Sequence, residues 1–422
     1  MTASNHRASP TSPTSPIAPT PPTPPTWRAL GRRLWQVPSN AFERRKRARR
    51  IEFLELFFDL VFVVLVSQLA HRLAESPSWS GVGWFAFLFL AVWASWTNGT
   101  VYHDSHGTDD LSIRVFTFGL MLSVAFMAVF VGHVPGNGAA GFALAYAANS
   151  ALLTILWYRT GFHDRAHRVY SYPYAAAYVA ATGLFCVSVA VRAPMMYWLW
   201  AAALTLELAA AIPSIRLWQL GGDHTIATPS LIERLGLFVI IVLGEVVAGA
   251  VNGMAHHDTV TAEVAVVGLL GILVAIALWW LYFDGISHRH PSATRQFAWT
   301  YLHFPLVLGI AAAGAGVLVL LQQLDHLSAQ GRWLLVGSVA LSLAMNVAIT
   351  RTLDARLENP RLYGTNAIAS AVSIVLMLLV GTSSLGSMGT LGVVVAVLFG
   401  TIGVNLAAWV RTVVLGEMGA GS

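Results

Sequence analysis

The sequence predicts an all-α polytopic transmembrane bundle of about twelve helices with a six-plus-six parallel internal repeat. Three observations carry that expectation. Of 422 residues, 56% are apolar and only 11% charged, far oilier than an ordinary soluble domain. Apolar runs of roughly 18 to 23 residues, the length a bilayer core requires, recur along the chain. The residues behind the formal net charge of +5 sit in an N-terminal stretch and in short connections. Membrane topology accounts for that placement, and nucleic acid is not an expected partner.

Residues 1–50 read as a separate material. Nine of the eighteen prolines fall in the first 38 residues among Ser and Thr, a composition that buries no core and predicts a disordered or polyproline-like tail. No apolar signal-peptide core is expected ahead of the first span. Trp27, Leu30 and Leu34 share a helical face, which suits either a short surface helix or a basic linker. Arg44, Arg45, Lys46, Arg47, Arg49 and Arg50 form a cluster matched to anionic lipid headgroups, holding the N-terminus inside.

The predicted spans lie near 53–72, 82–100, 112–132, 139–158, 173–191, 195–215, 232–252, 264–283, 298–321, 333–350, 364–383 and 389–410. They divide into a first transmembrane unit, 51–220, a second, 221–415, and a short tail, 416–422. With the N-terminus inside, twelve loop arginines, among them Arg114, Arg159, Arg234, Arg295, Arg351 and Arg411, fall on the cytoplasmic side. Only Arg72, Arg192 and Arg332 fall outside, so both termini are expected in the cytoplasm of a bacterial cell. Cys186, the one cysteine, lies in an apolar run and is expected as a small core residue. A lone cysteine excludes disulfides within the chain and thiolate metal sites.

The first span, IEFLELFFDLVFVVLVSQLAHR (51–72), opens with Glu52, Glu55 and Asp59. Offsets of three and seven place all three on one helix face. Glu52 and Glu55 are close enough to the interface to be solvated or paired with Arg49 and Arg50. Asp59 is about 10 Å into the helix, where an acid faces a protein interior or a watery pathway.

The same region carries a family resemblance. ELFFDLVFVVLVSQLAH (55–71), LFVIIVLGE (237–245) and WWLYFD (279–284), in that order, resemble the bacterial low-temperature-requirement A family, over about residues 49 to 411. The resemblance implies a many-helix inner-membrane protein. It carries over no catalytic residues and leaves any cofactor unknown, so mechanism has to come from this chain.

Laying span seven on span one at an offset of 181 aligns Glu52, Leu54, Leu56, Phe57 and Val61 with Glu233, Leu235, Leu237, Phe238 and Val242. Tyr102 and Asp104 align with Tyr282 and Asp284 one residue away, and Arg114 with Arg295. An even-numbered repeat of this kind gives parallel halves. Composition and the retention of loop arginines produce similar matches without duplication.

The repeat sorts the polar residues into two layers. A cytoplasmic-side network is expected from Glu52, Glu55, Asp104, Asp109, Asp110, Arg114, Glu233, Arg234, Asp284 and Arg295. Deeper lie Asp59, Glu207, Glu245 and His303, candidates for an ion or substrate pathway because such groups change charge or coordinate an ion. Gly244 is expected to admit a neighbouring backbone, and Pro305 to free a carbonyl near His303. A buried network that fixes helix packing is the structural alternative.

His103, His106 and Asp109 crowd the second inner loop and offer a divalent-metal site. There is no P-loop, dinucleotide fingerprint, nucleophile elbow or HExxH helix. Three functions stay open: an ion or small-solute transporter or channel using mid-membrane carboxylates; a regulatory or structural membrane protein without transport; and a membrane-embedded metal-dependent enzyme.

Overall fold

Lipid offers the backbone no hydrogen-bonding partners, so apolar runs of this length close into helices. A computed structural model describes residues 36, 38, 52–106, 110–165, 168–220, 228–287 and 289–414. They form twelve long helices: α1 (Phe53–Glu75), α2 (Trp79–His106), α3 (Leu111–Val131), α4 (Ala139–His163), α5 (Arg168–Ser188), α6 (Met195–Leu220), α7 (Pro229–Ala255), α8 (Ala262–Gly285), α9 (Gln296–Gln322), α10 (Ala329–Thr350), α11 (Pro360–Thr382) and α12 (Ser387–Trp409). Among the described residues, ten of these are long and apolar enough to cross a bilayer; α6 adds an apolar stretch at Met195–Ala210. The one β-bridge among them joins Pro291 to Leu353. The expectations for Trp27 to Leu34, for Arg44 to Arg50, for Asp109 and for residues 416–422 lie outside the described residues.

Helices begin where polar caps dictate, ahead of the apolar runs. Thr228 accepts the Leu231 amide at 3.0 Å and Pro229 follows at the first position, an arrangement that satisfies an orphan amide and presets the backbone. Ser328 caps α10 in the same way through Gly331. α2 runs six residues beyond the predicted 100, to His106, which takes His103, Asp104 and His106 out of the expected loop.

The first six helices and the last six share a packing order. α1 packs on α2 and α3, α2 on α4 and α6, and α3, α4, α5 and α6 pack in series. Likewise α7 packs on α8 and α9, α8 on α10 and α12, and α9, α10, α11 and α12 pack in series. The units meet where α1 and α2 contact α7 and α9. α9 is central: 83% of its most apolar window is buried, against 28% for α11. Close approach to it comes through Gly314, where a Cβ would stand 2.7 Å from the Glu245 carbonyl oxygen. Gly244, by contrast, faces open space, so the expected backbone approach belongs to Gly314 instead.

The outer surface is apolar. On α1, Phe53, Phe57, Leu60 and Val64 are exposed while Glu55, Asp59, Phe62 and Val66 are buried, the period of one helix face. α11 exposes Ile368, Val372, Val375 and Leu379 in the same rhythm. Cys186 is exposed on this surface, so it is not the core residue expected.

Candidate functional site

α1 begins and α2 ends at one end of the bundle, called the near end, where Thr228 at the start of α7 donates to Asp104 at 2.8 Å. Asp59 stands about 10 Å in from that end and is buried. Its Oδ1 accepts from two donors: Arg234 Nη2 of α7 at 2.7 Å and Trp96 Nε1 of α2 at 2.8 Å. Arg234 and Asp59 side chains are 1% and 2% exposed. The ion pair therefore joins α1 to α7.

Aromatic rings enclose the pair. The guanidinium lies 5.9 Å from the Phe58 ring centre and 6.0 Å from that of Trp96, within cation–π reach. Phe238 of α7 packs 4.3 Å from Trp96. Gly99 makes room for Phe58: a Cβ there would stand 2.9 Å from its ring. The hydrogen bonding is lopsided, because Asp59 Oδ2 and Arg234 Nε and Nη1 have no protein partner. Buried polar atoms left in that state are costly.

Arg234 is the main correction to the sequence reading, which set it among the cytoplasmic loop arginines. Its charge is met by Asp59 and not by headgroups. The available signal was position, since Arg234 falls inside the span predicted from 232. Trp96, likewise unanticipated, carried no signal among fifteen tryptophans.

Glu245 follows Arg234 by eleven residues on α7, three turns or about 16 Å along the same face. It is buried, and the Ser67 hydroxyl of α1 lies beside it. The α1–α7 seam thus carries two polar rungs, Asp59–Arg234 and Ser67–Glu245.

The other two deep candidates are elsewhere. Glu207 of α6 accepts from Tyr146 Oη at 2.6 Å and Ser150 Oγ at 2.7 Å, both on α4. Beside it, Asn149 accepts from Ser95 at 2.8 Å and donates to Ser123 at 2.9 Å. These bonds tie α2, α3, α4 and α6 together inside the first unit. His303 of α9 is fully buried, with Nδ1 2.7 Å from the Trp299 carbonyl and Nε2 3.1 Å from the Tyr282 hydroxyl. α9 continues unbroken through Pro305.

At the near end, the expected network is several separate contacts. Glu55 is buried and Glu52 stands at the N-cap position of α1 without a side-chain capping bond, whereas Glu233 and Arg114 are exposed. Arg295 donates to the Arg351 carbonyl at 2.6 Å, and Asp284 accepts from Trp280 at 2.6 Å. Asp110 accepts from Ser112 and caps α3. His103 is buried in α2, 3.3 Å from Thr117 Oγ1, and His106 packs on Tyr102 and Trp157. Among the described residues no three His, Cys, Asp or Glu side chains are grouped to hold a metal ion.

A multi-pass helical bundle with ionisable residues sealed between its two units is an integral membrane protein. The chain belongs to the bacterial low temperature requirement A protein family, whose profile matches residues 50–400. It is also similar to an uncharacterized protein of Rhizobium meliloti (strain 1021), 28% identical over 293 residues that cover 63% of this chain and 68% of that one.

Proposed function

We propose that the chain is an ion or small-solute transporter or channel of the bacterial inner membrane, with the Asp59–Arg234 pair as a charge switch between two duplicated six-helix units. The observation that carries the reading is that one partner of this buried pair comes from each unit. Acids and bases inside a membrane mark ion pathways more often than structural devices. A proton or cation reaching Asp59 weakens its hold on Arg234, and the freed guanidinium then favours a different seating of α7 against α1. Glu245 is the second station along the same seam. The matching packing order of the two units and the aligned pairs Glu52–Glu233 and Asp104–Asp284 support the duplication.

The arginine distribution supports an orientation with the near end and both termini in the cytoplasm, and the Arg44 to Arg50 cluster as the contact with anionic lipids. The test is flux in proteoliposomes. Wild-type protein is expected to pass protons or alkali cations, and Asp59→Asn and Glu245→Gln to abolish flux while the protein still inserts. Wild-type flux in both variants rejects the reading.

One observation favours a structural role without transport. Both oxygens of Glu207 are capped by hydroxyls within a single unit, the arrangement of a fixed packing network. Glu207 is accordingly assigned to packing, and the pathway to the seam. The enzyme reading finds no supporting geometry among the described residues, where His103 and His106 are packed into α2.

A further inference from the structure

The second unit holds a cavity of about 370 Å³ where the ends of α8 and α12 meet the start of α11. Its position at helix ends is the depth of lipid headgroups. Leu362, Ile402 and Leu406 give it an apolar wall, and Trp280, Tyr363 and Trp409 an aromatic one.

Two opposite charges line this cavity and are turned to different partners. Asp284 accepts from Trp280 Nε1 at 2.6 Å. Arg289 stands with its guanidinium carbon 5.9 Å from the centre of the Tyr363 ring and reaches the Asp284 backbone carbonyl at 3.4 Å. Two buried polar atoms lie behind this lining: the Tyr363 hydroxyl, on a residue 7% exposed and turned to Arg289, and Asn405 Oδ1.

An occupant that matches this wall offers an anion to Arg289 and a hydrogen-bond-donating cation to Asp284. It also carries an apolar portion against Leu362, Ile402 and Leu406. We propose that the cavity binds the zwitterionic headgroup of an aminophospholipid, with the phosphate on Arg289 and the ammonium on Asp284 between tryptophan faces. This site is independent of the α1–α7 seam.

Native mass spectrometry of the full-length protein tests it, with phosphatidylethanolamine, phosphatidylcholine and phosphatidylglycerol of identical acyl chains as probes. Wild type is expected to retain phosphatidylethanolamine about tenfold over the other two, the effect of one charge-assisted hydrogen bond. Asp284→Asn should remove the preference without lowering phosphatidylglycerol, Asp284→Glu should keep it, and Arg289→Gln should lower all three lipids alike. Both residues lie at the bundle's end, so melting temperatures near wild type serve as the folding control. Equal retention of the lipids, a preference for phosphatidylglycerol, or an Asp284→Asn variant that keeps the wild-type ranking overturns the proposal. So does soluble O-phosphoethanolamine binding as tightly as the lipid, which would assign the cavity to a free amino phosphate.

Discussion

Removing one partner of the Asp59–Arg234 pair and then both separates a working charge from a packing charge. In Asp59→Leu, Arg234 keeps its proton because guanidinium does not titrate in proteins. A 1%-exposed cation is left without its anion, at a cost of about 3–5 kcal/mol. Arg234→Met is milder, since a stranded Asp59 can take up a proton and become neutral; the unmade hydrogen bond costs about 1–3 kcal/mol. Asp59→Leu with Arg234→Met removes both charges and fills the space with apolar atoms, and such replacements are neutral or stabilising by about 1–4 kcal/mol. Trp96 Nε1 then loses its acceptor, which offsets part of that gain. Each variant is to be unfolded in detergent by titrating denaturant, and its flux measured in proteoliposomes. The expected outcome is stability recovered in the double variant and flux still absent. Wild-type flux in the double variant would show the pair to be a packing device, and single variants as stable as wild type would refute the burial argument itself.

Glu207→Gln should lower stability by about 1–3 kcal/mol, because Tyr146 and Ser150 both donate and an amide offers them one acceptor oxygen; denaturant titration reads this, and flux should stay at wild type. Gly314→Ala forces its new methyl against the Glu245 carbonyl and should cost about 1–3 kcal/mol by overpacking, measured in the same titration. A fluorophore attached to Cys186, exposed on the outer surface, should be quenched by brominated lipids, and a label shielded from lipid would contradict the burial pattern. A reporter fused after Arg411 should read cytoplasmic; a periplasmic signal would reverse the proposed orientation.

The helical bundle was legible because the membrane makes the length of apolar segments nearly sufficient. Twelve runs became twelve helices, and Glu55 and Asp59 lie buried on one face as the spacing of α1 required. What the sequence concealed was partnership. Asp59 was visible as an acid in a span, but the cation that answers it is 175 residues away, and its neighbour Glu233 gave it the look of an interfacial pair. The two lie about 100° apart on α7, so one side chain is exposed and the other buried. His103 and His106 misled for a different reason. Hydropathy ended their helix at 100, while packing on Phe58, Tyr102 and Trp157 carries it to His106.

The proposed duplication and the charge pair pull in different directions, and their combination narrows the proposed mechanism. At the offset of 181 that aligns α1 with α7, Asp59 corresponds to Ile240 and Arg234 to Phe53. Phe53 is 90% exposed and Ile240 46% exposed, so neither position holds a buried polar group. The seam therefore carries one ion pair without a pseudo-symmetric copy. Two equivalent pairs would release two charges for each change in seating of the units, and a second site would titrate alongside the first. With one pair, neutralising Asp59 alone changes the net charge of that rung, and Glu245, alone on its own rung opposite Ser67, is left as the other ionisable station. A single proton or monovalent cation per cycle is the stoichiometry such an arrangement favours, and a flux measurement that returned two charges per turnover would require a pathway elsewhere in the bundle.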